Sequence, residues 1–212
     1  MKLYSYYRSS AAYRVRIALN LKGLDVAQVA VNLLTGQQRD AAYRERNPQG
    51  LVPALDIGDA LLTQSLAIVE YLDEVHPEPP LIPAAPLARA RVRAMAEVIA
   101  CDIHPLNNSS ILAHLKDPMG HDRDQVGAWV RTWIARGFAA LETLTGRHGA
   151  ADGYCFGDSV TMADLFLVPQ MYNARRFDTD LGPYPNLVRI DARLTALDAF
   201  ARAAPEAQPD AP

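Results

Sequence analysis

The chain has 212 residues, half of them hydrophobic, and carries 21 Lys+Arg against 24 Asp+Glu for a formal charge of -3. That composition can bury a core without disulfide or metal staples. It supplies no basic field for nucleic acid or an anionic membrane, so an anionic ligand must be held locally.

Residues 3 to 7, rich in tyrosine, suit a strand. Ser9 or Ser10 can then cap a helix carrying Ala12, Val15, Ala18 and Leu19 at helical spacing, which Gly23 stops. "DVAQVAVNL" reads as a buried strand and the polar stretch from Gln37 to Arg46 as a second helix, followed by the loop "NPQG". "LVPALDI" and "ALLT" read as two strands joined by a tight turn at Gly58-Asp59. A helix capped by Ser65 follows and ends at Pro77. The order βαβαββα predicts a right-handed parallel crossover unit completed by a hairpin, a mixed sheet covered by helices.

The proline-rich "HPEPPLIPAAP" is a linker, and from Leu87 long helical patterns replace strand signals. This predicts an α/β domain over 1–78, a linker over 79–86 and an all-helical domain over 87–212. "GDSVTMADLFLVPQ" carries a capping box, with Thr161 as N-cap and Asp164 three residues on. The tail "APEAQPDAP" reads as irregular.

Cys101 and Cys155 form no C-x-x-C and read as packed, inert thiols. The histidines His76, His104, His114, His121 and His148 lack ligand spacing, so no metal site is expected. No apolar run reaches the ~20 residues that span a bilayer, and basic residues interrupt any signal-peptide core. A cytoplasmic protein without nucleic-acid or membrane partners is expected.

Three places carry chemistry. Arg8, Ser9 and Ser10 stand where a strand hands over to a helix, whose N-terminus favours an anion. One serine as a plain cap is the bland alternative; a serine hydrolase is disfavoured because neither G-x-S-x-G nor S-x-x-K is present at this site. Val52-Pro53, if cis, would offer the Val52 backbone to an extended peptide, the alternative being a simple strand start. Gln64-Ser65 opens a second helix able to receive a carboxylate, or is an ordinary cap. Together they offer a thiolate cradle, a backbone edge and a carboxylate nest, the parts needed to bind a small thiol peptide such as glutathione.

The segments "YSYYRSSAAYRVRIALNLKG", "NPQGLVPAL", "QSLAIVEYL", "CDIHPLNNSS", "GDSVTMADLFLVPQMYNARRF" and "PYPNL" resemble zeta-class glutathione transferases, in order, along nearly the whole chain. The resemblance implies a thioredoxin-like domain followed by a helical domain, a homodimer, and glutathione-dependent cis/trans isomerisation of maleylpyruvate, or alternatively of maleylacetoacetate, in aromatic catabolism. A conjugating transferase or α-haloacid dehalogenase is a further alternative, and a non-enzymatic interaction module is one of a different class. The resemblance makes Ser9 the catalytic serine and Ser10 its neighbour at the glutathione sulfur. It gives Val52, with Pro53, the cysteinyl backbone contact, and Gln64 and Ser65 the γ-glutamyl contacts. Gln38, His104 and Asn108 become further glutathione or substrate contacts. Arg8 and Arg176 face the substrate carboxylates, with Asn108, Ser109 and Ser110 also at the substrate. The family pattern commonly has cysteine where this chain has Ala11, tryptophan where it has Tyr13 and glutamine where it has His104. Ala11 leaves glutathione as the nucleophilic sulfur, and His104 is either a ligand contact or a packed residue before Pro105.

Overall fold

A computed structural model describes residues 1–149 and 153–212. It forms two compact units, one of Met1–Leu81 with Thr195–Pro212, the other of Ile82–Leu194.

In the first unit, β1 (Lys2–Ser5), α1 (Ser10–Leu21), β2 (Ala27–Ala30), α2 (Ala41–Arg46), β3 (Ala54–Asp56), β4 (Leu61–Thr63) and α3 (Ser65–Val75) follow in the predicted order. The sheet runs β2-β1-β3-β4, with β2 parallel to β1 and the other neighbours antiparallel. Leu3 pairs with Leu55, and both are fully buried, as are Val15, Ile17 and Ala18 of α1 and Ile68, Val69 and Leu72 of α3. Those apolar positions give the unit one core, with α1 packed on α3. A second cluster gathers Tyr6, Val31, Tyr43 and Val52, with Tyr4 and Tyr7 against it.

Gly23 sits at φ +66, where glycine adopts the left-handed conformation without penalty, and its amide closes on Asn20 as α1 ends. The hairpin turn is closed by Ile57 N–H donating to the Ala60 carbonyl at 3.0 Å.

Several expectations are corrected. β2 is exposed along its length, because it is an edge strand; the apolar residue that goes inside is Val31, one position beyond it. The predicted second helix is a 3₁₀ turn over Gln37–Arg39 and then α2, separated by Asp40, whose extended backbone makes it the N-cap of α2. The tail does not belong with the helical unit. It forms α9 (Asp198–Ala201) and a 3₁₀ turn (Pro205–Ala207) on the first unit. Tyr13 Oη donates to the Phe200 carbonyl at 3.3 Å, Asn20 Nδ2 to Ala199 at 2.8 Å, and Gln28 Nε2 to Gln208 Oε1 at 3.1 Å. Phe200 is fully buried.

The second unit contains α4 (Pro86–Glu97), a π-helical stretch (Val98–Ile103), a 3₁₀ turn (Pro105–Asn107), α5 (Ser109–Lys116), α6 (Arg123–His148), α7 (Met162–Arg176) and α8 (Pro185–Thr195). α4 starts at Pro86, a favoured first helical position, within the segment predicted as linker. α7 is buried continuously from Met162 to Met171. It starts as predicted, with Thr161 as N-cap. Asp164 accepts from Thr161 N–H at 2.7 Å, Thr161 Oγ1 at 2.9 Å and Cys155 N–H at 2.8 Å. Burial raises the Cys155 thiol well above its ordinary pKa, which keeps it inert. Cys101 is exposed, against expectation, because Ile99 and Ile103 turn the other face of the π-helical stretch inward.

Candidate functional site

Strand register assembles the first group of residues. Tyr4 pairs with Ala54 and Ala54 with Thr63. The end of β1, the start of β3 and the end of β4 therefore lie at one end of the sheet, and Arg8–Ser10, Val52–Pro53 and Gln64–Ser65 continue from them.

Ser9 is the N-cap of α1: its backbone is extended, its Oγ accepts from Ala12 N–H at 3.2 Å and its carbonyl from Tyr13 N–H at 2.9 Å. Capping and anion binding are compatible in one hydroxyl. Accepting the Ala12 bond uses a lone pair and leaves the O–H proton to donate outward, at the positive end of the helix dipole. Ser10 is buried as the first helical residue, and half-buried Arg8 holds its guanidinium 5.7 Å from the Tyr7 ring centre.

The Val52 backbone is set from behind. Tyr43 Oη donates to the Leu51 carbonyl at 2.7 Å and Asn47 Nδ2 to the same oxygen at 2.8 Å. Burial raises the Tyr43 pKa, so its phenol stays a donor. Gly50, at φ +62, passes so close to Gln38 that a Cβ there would sit 2.7 Å from the Gln38 carbonyl oxygen. This close approach brings buried Gln38 to the loop preceding Val52. Val52-Pro53 is cis.

At α3 the sequence reading needs correction, since Ser65 is the first helical residue and Gln64 is the cap. Gln64 holds φ +68, a conformation costly for a residue with a Cβ, and its Nε2 donates to Gln49 Oε1 at 3.0 Å. Buried Ser65 accepts from Arg14 Nη1 at 3.1 Å. With Arg14 as donor, the Ser65 hydroxyl has its own proton for an acceptor such as a carboxylate.

In the second unit, Asn108 caps α5: its Oδ1 accepts from Ser110 N–H and Ser110 Oγ, both at 3.1 Å, and from Ser109 Oγ at 3.5 Å. His104, half-buried, ends the π-helical stretch just before Pro105. Arg176, at the end of α7, donates from Nη1 to Asn173 Oδ1 at 3.1 Å, whereas its neighbour Arg175 is paired with Asp191. One turn of α6 meets both segments. Trp129 Nε1 donates to the Leu106 carbonyl at 2.9 Å and Arg131 Nη1 to Phe177 at 3.4 Å.

Sequence reasoning missed Arg14, Arg16, Tyr43, Asn47, Trp129 and Arg131 as supports of these positions. Arg14 and Arg16 lie two apart on a helix whose neighbours Val15, Ile17 and Ala18 are all buried, and each is itself almost fully buried. Two arginines inside an otherwise apolar helix are the signal that could have found them. Among the described residues no group of three or more His, Cys, Asp or Glu could hold a metal ion.

Residues 3–80 match the family model for the N-terminal domain of glutathione S-transferase, and residues 127–203 match the model for its C-terminal domain. The chain is 50% identical over 210 residues to the maleylpyruvate isomerase of Ralstonia sp., covering 99% of both. It superposes with TM-score 0.98 and 49% identity on the holo structure of a maleylpyruvate isomerase described as a bacterial zeta-class glutathione S-transferase, covering all of both chains. With TM-score 0.88 and 46% identity it matches a maleylacetoacetate isomerase from Anaeromyxobacter dehalogenans with dicarboxyethyl glutathione and citrate in its active site, covering 100% of this chain and 97% of that one.

Proposed function

The chain belongs to the glutathione S-transferase family, in its zeta class, and on that premise we propose that it isomerises maleylpyruvate to fumarylpyruvate with glutathione as a recycled cofactor. The observation that carries the reading is the hydroxyl of Ser9, which caps α1 through a lone pair while keeping its O–H for a thiolate. Val52 and Pro53 supply the edge for the cysteinyl unit, Gln64 and Ser65 the seat of the γ-glutamyl carboxylate. Gln38, His104 and Asn108 add contacts to glutathione.

The chemistry needs thiolate. A thiol of pKa ~8.5 is only about 3% ionised at pH 7, and lowering it to ~7 requires roughly 2 kcal/mol of differential stabilisation. A charge-assisted hydrogen bond from Ser9, Ser10 beside it and the α1 terminus are of the right size to supply it. The thiolate sulfur adds to the cis double bond, whose electron pair moves onto the conjugated carbonyl as an enolate. The former double bond is now single and rotates. The enolate then re-forms the double bond in the trans geometry and expels the thiolate, so no net oxidation occurs. Arg8 and Arg176 hold the two carboxylates and the developing enolate charge, with Asn108, Ser109 and Ser110 at the substrate. The dicarboxyethyl glutathione in the Anaeromyxobacter relative supports the addition step.

Maleylacetoacetate is the second reading, favoured by the name of that relative, which is 46% identical. A homodimer is part of the proposal, supported by exposed apolar side chains such as Leu34 and Leu87, 72% and 64% exposed. So is a cytoplasmic location; among the described residues no helix is long and apolar enough to cross a membrane.

Following the ultraviolet absorbance of maleylpyruvate with purified protein, with and without catalytic glutathione, tests the proposal. Conversion to fumarylpyruvate with glutathione unspent is expected. Glutathione binding without conversion transfers the assignment to maleylacetoacetate, and accumulation of a conjugate overturns isomerisation.

A further inference from the structure

The backbone of one residue just ahead of the Ser9 cap is held on both sides, at its N–H and at its carbonyl. Tyr7 N–H donates to Asp210 Oδ2 at 2.9 Å, and the Tyr7 carbonyl accepts from Arg16 Nη2 at 2.9 Å. Arg16 engages all three guanidinium nitrogens: Nη1 reaches Ser5 Oγ at 3.1 Å and the Tyr6 carbonyl at 3.4 Å, and Nε reaches the Ala203 carbonyl at 3.0 Å. A single side chain thus ties the end of β1, the loop carrying Arg8 and Ser9, and the tail. It is 2% exposed, and burial pulls its pKa down to about 10, which leaves it charged at neutral pH.

The tail reaches Tyr7 as a preformed piece. Gln208 is buried, and its Nε2 closes the turn onto the carbonyls of Arg202 at 2.9 Å and Ala204 at 2.8 Å; its own carbonyl accepts from Ala211 N–H at 3.0 Å. Asp210 lies between those two ends. It is half-buried. A carboxylate beside a thiolate site is an electrostatic liability, and here the charge of Arg16, with which it interacts, offsets it.

We propose that Asp210 is a positioning residue for the thiolate site: through Tyr7 N–H, with Arg16 fixing the carbonyl of the same residue, the C-terminal tail sets the loop from which Ser9 meets the glutathione sulfur. This rests on the reading of Ser9 above. It makes the acidity of the bound thiol depend on a residue some two hundred positions away in sequence. A purely structural tail would leave that acidity unchanged.

The test uses full-length Asp210→Ala, Asp210→Asn and Asp210→Glu variants, with the thiolate absorbance of bound glutathione followed against pH and isomerisation kinetics alongside. In Asp210→Ala the titration midpoint is expected to rise by about one pH unit and kcat/KM at pH 7 to fall about tenfold, with glutathione Kd changed less than about threefold. Asp210→Asn keeps an acceptor of the same shape and is expected to restore the wild-type midpoint. Asp210→Glu keeps the charge but displaces the acceptor by a methylene; it is expected to raise the midpoint, and it carries the test if the alanine variant does not fold. Wild-type titration in the folded Ala and Glu variants overturns the proposal, whatever happens to Tm. A wild-type protein that binds glutathione without forming thiolate near neutral pH overturns the reading of Ser9 itself, and the two failures are thereby told apart.

Discussion

Arg14 donates to the Ser65 hydroxyl across 3.1 Å inside the first unit, joining the middle of α1 to the first residue of α3. The bond fixes which way Ser65 can give its proton. Under the proposed function that proton goes to the γ-glutamyl carboxylate, and a hydrogen bond to a charged group contributes about 1.5–3 kcal/mol. Ser65→Ala is therefore expected to raise glutathione Kd by about tenfold to a hundredfold. Because the contact is remote from the reacting sulfur, kcat at saturating glutathione should stay within about twofold. Calorimetric titration with glutathione beside steady-state kinetics checks both, and an unaltered Kd would remove Ser65 from the ligand contacts.

The framework around that bond was legible in the sequence, and the bond was not. Strand alternation, the stops at Gly23 and Gly58 and the change of pattern after the proline-rich stretch were enough for βαβαββα followed by helices, because each is a local signal. Exposure of β2 was missed because alternation does not say which strand lies at an edge. The buried roles of Arg14 and Arg16 were missed because a charged residue on a helix ordinarily reads as surface. The tail over residues 204–212 reads as irregular because its order comes from bonds such as Gln28 to Gln208, which span 180 positions and leave no periodic trace. Ser9, by contrast, could be singled out, since a cap is a property of a few neighbouring residues.

Under the proposed function Ser9 carries two roles that substitutions can separate. Ser9→Ala removes cap and donor together and is expected to cost about 0.5–2 kcal/mol of stability. It should also raise the midpoint of the bound thiol by about one pH unit. Ser9→Asp retains a capping oxygen and sets a negative charge beside the sulfur, so near wild-type stability with no thiolate at neutral pH is expected. Urea midpoints and thiolate absorbance measured on the same samples decide the matter. Normal thiolate formation in the aspartate variant would show that Ser9 is a cap and nothing more.

Gly50 is where the backbone cannot tolerate a side chain. At φ +62 an alanine is strained, and its Cβ would stand 2.7 Å from the backbone carbonyl of Gln38, which has no flexible end to swing away. The loop must move, and Leu51 and Val52 move with it. Gly50→Ala is expected to lower stability by about 1–3 kcal/mol. The KM for glutathione should rise about tenfold as the Val52 edge shifts. Thermal unfolding with glutathione saturation kinetics tests this, and unchanged values for both would mean that the Gln38 approach does not fix the Val52 edge.

Arg175 and Arg176 are adjacent in sequence, and under the proposed function they divide structure from function. Arg175 pairs with Asp191 at 2.5 Å; the Asp191 side chain is 3% exposed, the Arg175 side chain 49%. Burial pushes the Asp191 carboxyl upward in pKa and the neighbouring guanidinium pulls it back. Arg175→Ala leaves a buried carboxylate without that partner, and with half of the cation in water the expected cost is about 1–2 kcal/mol of stability rather than the full penalty of a buried pair. Arg176 instead ends α7 as an exposed side chain, with its guanidinium donating to Asn173. Arg176→Ala should leave Tm within about 2 °C. Under the proposed function it should raise the KM for the dicarboxylate keto acid by about tenfold or more while glutathione Kd is nearly constant. Equal loss of both affinities would place Arg176 at glutathione, or at the integrity of the helical unit, instead of at the substrate carboxylate.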